Sequence, residues 1–162
     1  MRILLSLLML GATILAYPQT AQQPFTLKLS AVKSQVSIGD QIEIRIVMTN
    51  TSDHPIDCTR TSSNGLDRNY RYDVSYEGQP APKIIRKHPE IGEEFSTWPC
   101  IIKPGESASS AGGLISVLYD FNRPGEYTIQ VERPAVFAPN NPYIKSNTIT
   151  IAVLPQDTPL QQ

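Results

Sequence analysis

Charge of either sign is scarce in this sequence, and neither sign dominates: 14 Lys and Arg stand against 15 Asp and Glu in 162 residues. A chain without a basic surplus lacks the electrostatic footprint of a nucleic-acid binder, so no nucleic-acid partner is expected. Histidine is rarer still. His54 and His88 stand alone, and neither sits in a motif that pairs a nucleophile with an orienting acid. The signatures GxSxG, HExxH, the P-loop and GxGxxG are all missing. Cysteine is limited to Cys58 and Cys100, far from a CxxC spacing and without histidine at zinc-ligand spacing. These absences point away from an enzyme, and the sequence calls for no metal or cofactor. Past residue 16 no long apolar run recurs, so no later segment reads as a membrane-spanning helix.

What is present begins at the N-terminus. Arg2 precedes an apolar run from Ile3 to Ala16. As a helix that run spans roughly 22 Å, short of the ~30 Å hydrocarbon core. Small residues and Pro18 follow, the pattern of a signal peptide over residues 1–21, with cleavage after Ala16 or Ala21. The expectation is a secreted or periplasmic chain with a domain over residues 22–155 and a frayed tail over 156–162. About 140 residues suffice for one hydrophobic core. Two cysteines in an exported chain predict a Cys58–Cys100 bridge.

Downstream, apolar residues alternate with polar ones. FTLKLSAV puts Phe25, Leu27 and Leu29 on one face; QIEIRIVMTN puts Ile42, Ile44, Ile46 and Met48 on one face; YRYDVSY aligns Tyr70, Tyr72, Val74 and Tyr76. Period two is a strand with one dry face, whereas a helix needs apolar residues three or four apart. EGQP turns the chain, and APKIIRK is read as the returning hairpin partner. A strand is expected near Gly113–Tyr119, another in GEYTIQVERP and a last one in NTITIAVLP. Seven to nine short strands with turn signals between them predict an all-β, two-sheet antiparallel sandwich.

One stretch specifies the sandwich further. In YDFNRPGEYTIQVERP, Pro124 and Gly125 force a turn and Tyr127, Ile129 and Val131 then share a face. Asp120, Gly125 and Tyr127 resemble the tyrosine corner of immunoglobulin-like sandwiches. Ile129 stands where antibody domains carry a cysteine, so Cys58–Cys100 is not their inter-sheet bridge. The order IRIVMTNTSDHPIDC, YRYDVSYEGQP, IKPGES, PGEYTIQV is also similar in layout to the intracellular proteinase inhibitors of bacilli, over about Ile42–Val131. That resemblance implies a bacterial immunoglobulin-like module and, by analogy, protease inhibition through an exposed loop. The sequence departs from it in its export signal, its cysteines and the segment after EGQP, KIIRKH, where the family carries a Trp-containing one.

Candidate partner residues are Arg71, Arg86, Lys87, Phe95 and Trp98. Arginine and aromatic side chains offer large contact areas. The alternating tyrosines equally suit a core-facing row, with Arg71 and Asp73 on the wetter face. Phe95 and the single tryptophan, Trp98, either present a recognition loop or plug one end of the core; the plug is the plainer reading. Asn64, Asp67, Asn69 and Asp73 gather four oxygen side chains without EF-hand spacing, which favours a solvated loop over calcium. Asn50-Thr51-Ser52 matches a glycosylation sequon, relevant in a eukaryotic host. The functional expectation is an exported, non-catalytic module that binds a protein or glycan of the cell envelope. Protease inhibition through Glu90–Pro99 or Phe137–Pro142, and an enzyme with a site assembled around either histidine, are the alternatives.

Overall fold

The computed structural model describes residues 23–63, 66–84, 96–135 and 141–156. The expected signal segment and nearly all of the expected tail lie outside them. Fourteen strands are described: β1 (Phe25–Ala31), β2 (Gln35–Ser37), β3 (Glu43–Asn50), β4 (Ile56–Asp57), β5 (Arg60–Ser63), β6 (Leu66–Asp67), β7 (Arg71–Tyr76), β8 (Gln79–Pro80), β9 (Ser96–Trp98), β10 (Ile101–Ile102), β11 (Ser107–Leu114), β12 (Gly125–Pro134), β13 (Tyr143–Lys145) and β14 (Ile149–Leu154).

Alternation sorts them into two layers. One sheet has the order β1-β3-β11, the other β2-β14-β12-β7-β8 with β13 beside β12. These are the A-B-E and A′-G-F-C-C′ orders of an immunoglobulin-like sandwich. Phe25, Leu27 and Leu29 of β1 and Ile44, Ile46 and Met48 of β3 are buried, as are Tyr127, Ile129 and Val131 of β12 and Ile151 and Val153 of β14. All belong to one core cluster. Nine strands make the two main sheets; the pairs β4–β10 and the ribbon β6-β5-β9 lie outside them.

Three expectations need correction. The sandwich is not wholly antiparallel, because β2 pairs parallel with β14. The N-terminal segment runs antiparallel to β3, then switches sheets; Val32 still donates to the Glu43 carbonyl, while Ser34 already accepts from Ala152. The strand expected at Gly113–Tyr119 is β11, which ends at Leu114, and Ile115–Val117 form a 3-10 turn. Serine, alanine and glycine have weak strand preference, so pairing with β3 sets this strand, through a register shift between Ala111 and Gly113 where Gly113 takes φ +76°. The hairpin partner of β7 is only Gln79–Pro80, across a Glu77-Gly78 turn with both φ values positive, as a type I′ turn requires. Ala81 still donates to the Val74 carbonyl, but Lys83 and Ile84 have moved to Tyr119 and Leu118.

The tyrosine corner is present. The Tyr127 hydroxyl donates to the Arg123 carbonyl at 3.2 Å, four residues upstream. Its ring lies 4.8 Å from that of Tyr76 and 4.7 Å from that of Phe121. Tyr76 in turn donates to the Pro124 carbonyl. Gly125 has φ +141°, and a Cβ there would lie 2.8 Å from Tyr76 Cε2. Asp120 acts nearby, its carboxylate accepting from the Asn122 N–H at 3.1 Å.

Tyr127→Phe is expected to cost about 1 kcal/mol, one hydrogen bond whose acceptor carbonyl stays near solvent. Gly125→Ala is expected to cost more, about 2 kcal/mol, from strain and a clash with a ring fixed at both ends. Urea unfolding of both variants checks the order; equal costs, or none, would disprove the corner's role.

Candidate interaction surfaces

The outer face of the larger sheet follows from the same parity that buries Tyr127, Ile129 and Val131. Register sets Glu132 opposite Arg71 and Lys145, and Gln130 opposite Asp73. Glu132 lies 3.7 Å from the Arg71 guanidinium and 4.0 Å from Lys145 Nζ. Such exposed pairs stabilise by about 0–1 kcal/mol, so their main effect is to hold side chains in place. Arg71 also stacks 3.9 Å from the centroid of Tyr143.

Beyond the β7 edge the chain builds a second wall. Lys83 and Ile84 pair with Tyr119 and Leu118, and Lys83 Nζ sits 5.8 Å from the Tyr119 ring. The Tyr119 hydroxyl donates to the Tyr72 carbonyl. Between the walls lies a groove of about 770 Å³. Its floor and sides carry Arg71, Asp73, Gln130, Glu132 and Lys145, and its far rim carries half-exposed Ile84 and Leu118.

A second site forms around the disulfide. Cys58 and Cys100 are bridged across 42 residues, with Cα atoms 4.9 Å apart. The bridge flanks the β4–β10 ladder, and the Cys58 N–H donates to the Cys100 carbonyl. It thus ties the segment after β3 to the one before β11 and is not an inter-sheet bridge between β3 and β12. Beside it is a smaller cavity of about 250 Å³, lined by Met48, Arg60, Tyr70, Trp98 and both cysteines. Trp98 does not plug the core. It is 50 % exposed, on a short strand outside the sandwich, with the Arg60 guanidinium 5.1 Å from its ring.

Against the Tyr70 wall of this cavity lies a buried arginine that the alternation did not single out, beside a carboxylate already considered for calcium. Arg133 is 2 % exposed and Asp67 1 %. Arg133 Nη2 donates to the Thr59 carbonyl at 3.3 Å, and its guanidinium lies 5.2 Å from the Tyr70 ring. Asp67 Oδ1 accepts from the N–H groups of Thr61 and Asn69. Burial pushes the Asp67 carboxyl above its ordinary range, against those hydrogen bonds and the charges of Arg133 and Arg60. The signal was available: Arg133 shares the parity of Tyr127, Ile129 and Val131.

The other expected residues divide plainly. Arg71 joins the groove and Trp98 the disulfide cavity, so the two described partner candidates are not brought together. Arg86, Lys87, Phe95 and His88 lie outside the described residues. Of the oxygens weighed for calcium, Asn64 lies outside the described residues, Asp67 is buried and Asp73 faces the groove; among the described residues no group of three or more His, Cys, Asp or Glu side chains could hold a metal. His54 bonds Asp53 at 2.9 Å on an exposed turn and lies outside the walls of both cavities. Ser52 Oγ bonds Asn50 and the His54 carbonyl, not the imidazole. Asn50 is 1 % exposed and its amide donates to the His54 and Ile102 carbonyls, so in the folded chain the sequon is closed to modification.

Removing the bridge, as Cys58→Ser with Cys100→Ser, is expected to lower stability by about 4 kcal/mol on the chain-entropy model. Guanidinium unfolding with and without reductant checks this, and a loss below about 1 kcal/mol would show the ladder alone holds the segment. A pH effect follows from Tyr72 and Tyr119. Burial raises both phenols above the ordinary 10.0, aided by Asp67 for Tyr72 and Asp73 for Tyr119. The unfolded chain therefore loses these protons first, so their stabilisation is complete below pH 10 and declines as pH rises above it. Stepwise alkaline titration should show their phenolate absorbance appearing together with unfolding; ionisation of every tyrosine in a folded chain would contradict it.

No family model matches the chain, and no curated protein does either; the layout similarity to the bacillar proteinase inhibitors thus gains no family match. Among solved structures the chain is similar to the CARDB domain of a Pyrococcus furiosus protein, at 12 % identity and TM-score 0.38, over 81 % of this chain and 94 % of that one. It is also similar to part of a β-glucosidase from Erythrobacter marinus, at 13 % identity and TM-score 0.40, over 80 % of this chain and 15 % of the glucosidase. Likenesses of that size fix neither fold nor function; the immunoglobulin-like assignment stands on strand order and the tyrosine corner.

Proposed function

We propose that the chain is an exported, non-catalytic binding module that meets a protein or glycan of the cell envelope through the groove on the outer face of β7, β12 and β13. The observation that carries the reading is Arg71. Its side chain is 64 % exposed, yet it is already stacked on Tyr143 and paired with Glu132. A contact group fixed before binding loses less entropy on association, and arginine and tyrosine are the residues in which interface energy concentrates. Export is supported by the bridge, since disulfides persist in oxidising compartments.

The test places a photo-crosslinking amino acid at Gln130, in the groove, or at Lys28, on the outer face of the other sheet, in cells expressing the full chain. A discrete adduct from position 130 alone is expected, lost when Arg71→Glu and Lys145→Glu are combined, with melting unchanged. Equal adducts from both positions, or none, would overturn the groove. Recovery of the chain in the cytoplasm with free thiols would overturn export.

Protease inhibition has one observation in its favour. Trp98 and Pro99 are exposed immediately before bridged Cys100, at the end of the Glu90–Pro99 segment, whose residues 90–95 lie outside the described ones. Failure to slow a panel of serine and cysteine proteases removes it.

A further inference from the structure

The groove over β7, β12 and β13 holds more cations than acids: Arg71, Lys83 and Lys145 line it against Asp73 and Glu132. Glu132 serves both Arg71 and Lys145, but at 3.7 and 4.0 Å, beyond hydrogen-bond length. Among the described residues Lys83 meets the Tyr119 ring and pairs with no carboxylate. Arg71 therefore keeps its N–H donors open, and stacking on Tyr143 fixes the plane in which they point. A planar fork held in this way matches a carboxylate.

The rings around the groove offer no face to a sugar. Tyr119 is 4 % exposed, Tyr72 packs against the core and donates to the Asp67 carbonyl, and Arg71 covers Tyr143. What stands open at the far rim is aliphatic: Ile84 is 44 % exposed and Leu118 37 %. The Ile84 N–H donates to the Leu118 carbonyl at 2.8 Å, which holds the two side by side. Aliphatic side chains gain from burial against other apolar groups, and the hydroxyls of a glycan supply none. Of the two partner classes, the rim favours a protein.

Spacing narrows the partner further. Lys145 and Arg71 are separated by two strand spacings of about 4.8 Å. The far wall stands off β7 by the length of the Tyr119 side chain, whose hydroxyl reaches the Tyr72 carbonyl. The cations and the aliphatic rim thus lie roughly 10–15 Å apart, about four residues of an extended chain, and residues four apart point to the same side.

We propose that the groove takes an extended peptide segment of another protein, with an Asp or Glu held by Arg71 and a Leu, Ile or Val about four residues away on the Ile84–Leu118 rim. The proposal rests on the groove being the binding surface, and it chooses between the partner classes named for it.

The probe is a phage-displayed library of random nonapeptides, panned on the purified chain. Enriched peptides are expected to share an acid and an aliphatic residue at that spacing. A fluorescein-labelled peptide of that type should bind at least about tenfold more weakly to Arg71→Glu with Lys145→Glu, and to Ile84→Ser with Leu118→Ser, with melting unchanged. Lys28→Glu, on the other sheet, should bind it as the parent does, and added salt should weaken it. No enrichment, enrichment without an acid, or full affinity after the Ile84 and Leu118 changes would each overturn the proposal. The adduct from position 130 separates this failure from that of the groove. An adduct that mass spectrometry shows to carry a glycan or a second copy of this chain removes the peptide and keeps the groove; the absence of any adduct removes both.

Discussion

Two sheets whose inward rows meet in one apolar seam are the constraint on which everything else here depends. Each main strand spends every second residue on that seam, and a slip of one residue would turn Ile44, Ile46 and Met48 toward water. At about 1.5–3 kcal/mol for each fully buried Ile, Leu or Val, such a slip is prohibitive, and the register is fixed by it. Once register is fixed, the outward positions are fixed too. Glu132 faces Arg71 and Lys145 because Tyr127, Ile129 and Val131 face in.

The seam alone does not close the edges of the sheets; polar side chains do. Asn147 receives the Leu29 N–H at 2.8 Å and donates to the Leu29 carbonyl at 3.0 Å, imitating a peptide on the edge of β1. Asn50 does similar work at the other end of β3, joining the His54 turn to Ile102 of β10. Both amides span sheet edges where no ladder continues, which blunts them as templates for unwanted pairing. The tyrosine corner acts in the same way on the approach to β12, turning an orphan carbonyl at Arg123 into an anchor.

Legibility in the sequence followed the source of each constraint. Strands whose pairing is written in alternating apolar side chains, β1, β3, β7, β12 and β14, could be read directly, as could the bridge and the corner. β11 could not, because SASSAGGL carries no pattern and is held in place by its neighbour. The parallel β2–β14 pair could not, since three residues of a sheet-switching segment have no period. Arg71 was legible as a wet-face residue from parity. Trp98 was not: composition places a lone tryptophan in the core by default, and only the ribbon β6-β5-β9 explains its exposure. Arg133 was legible and unread, an inward position on the clearest strand of the C-terminal half.

Arg133 also explains why the second site lies where it does. A guanidinium on the dry face of β12 cannot be left bare, since an isolated buried charge costs several kcal/mol. The fold answers with the Tyr70 ring, the Thr59 carbonyl and the Asp67 carboxylate, all from the segment between β4 and β7. That segment must therefore stay folded against the end of the sandwich, and Cys58–Cys100 clamps it there. Pinning it to one charge leaves Arg60 on its outer side, over Trp98 and facing a cavity rather than a packed core. The cavity is thus the geometric consequence of solvating one buried arginine with protein groups instead of water.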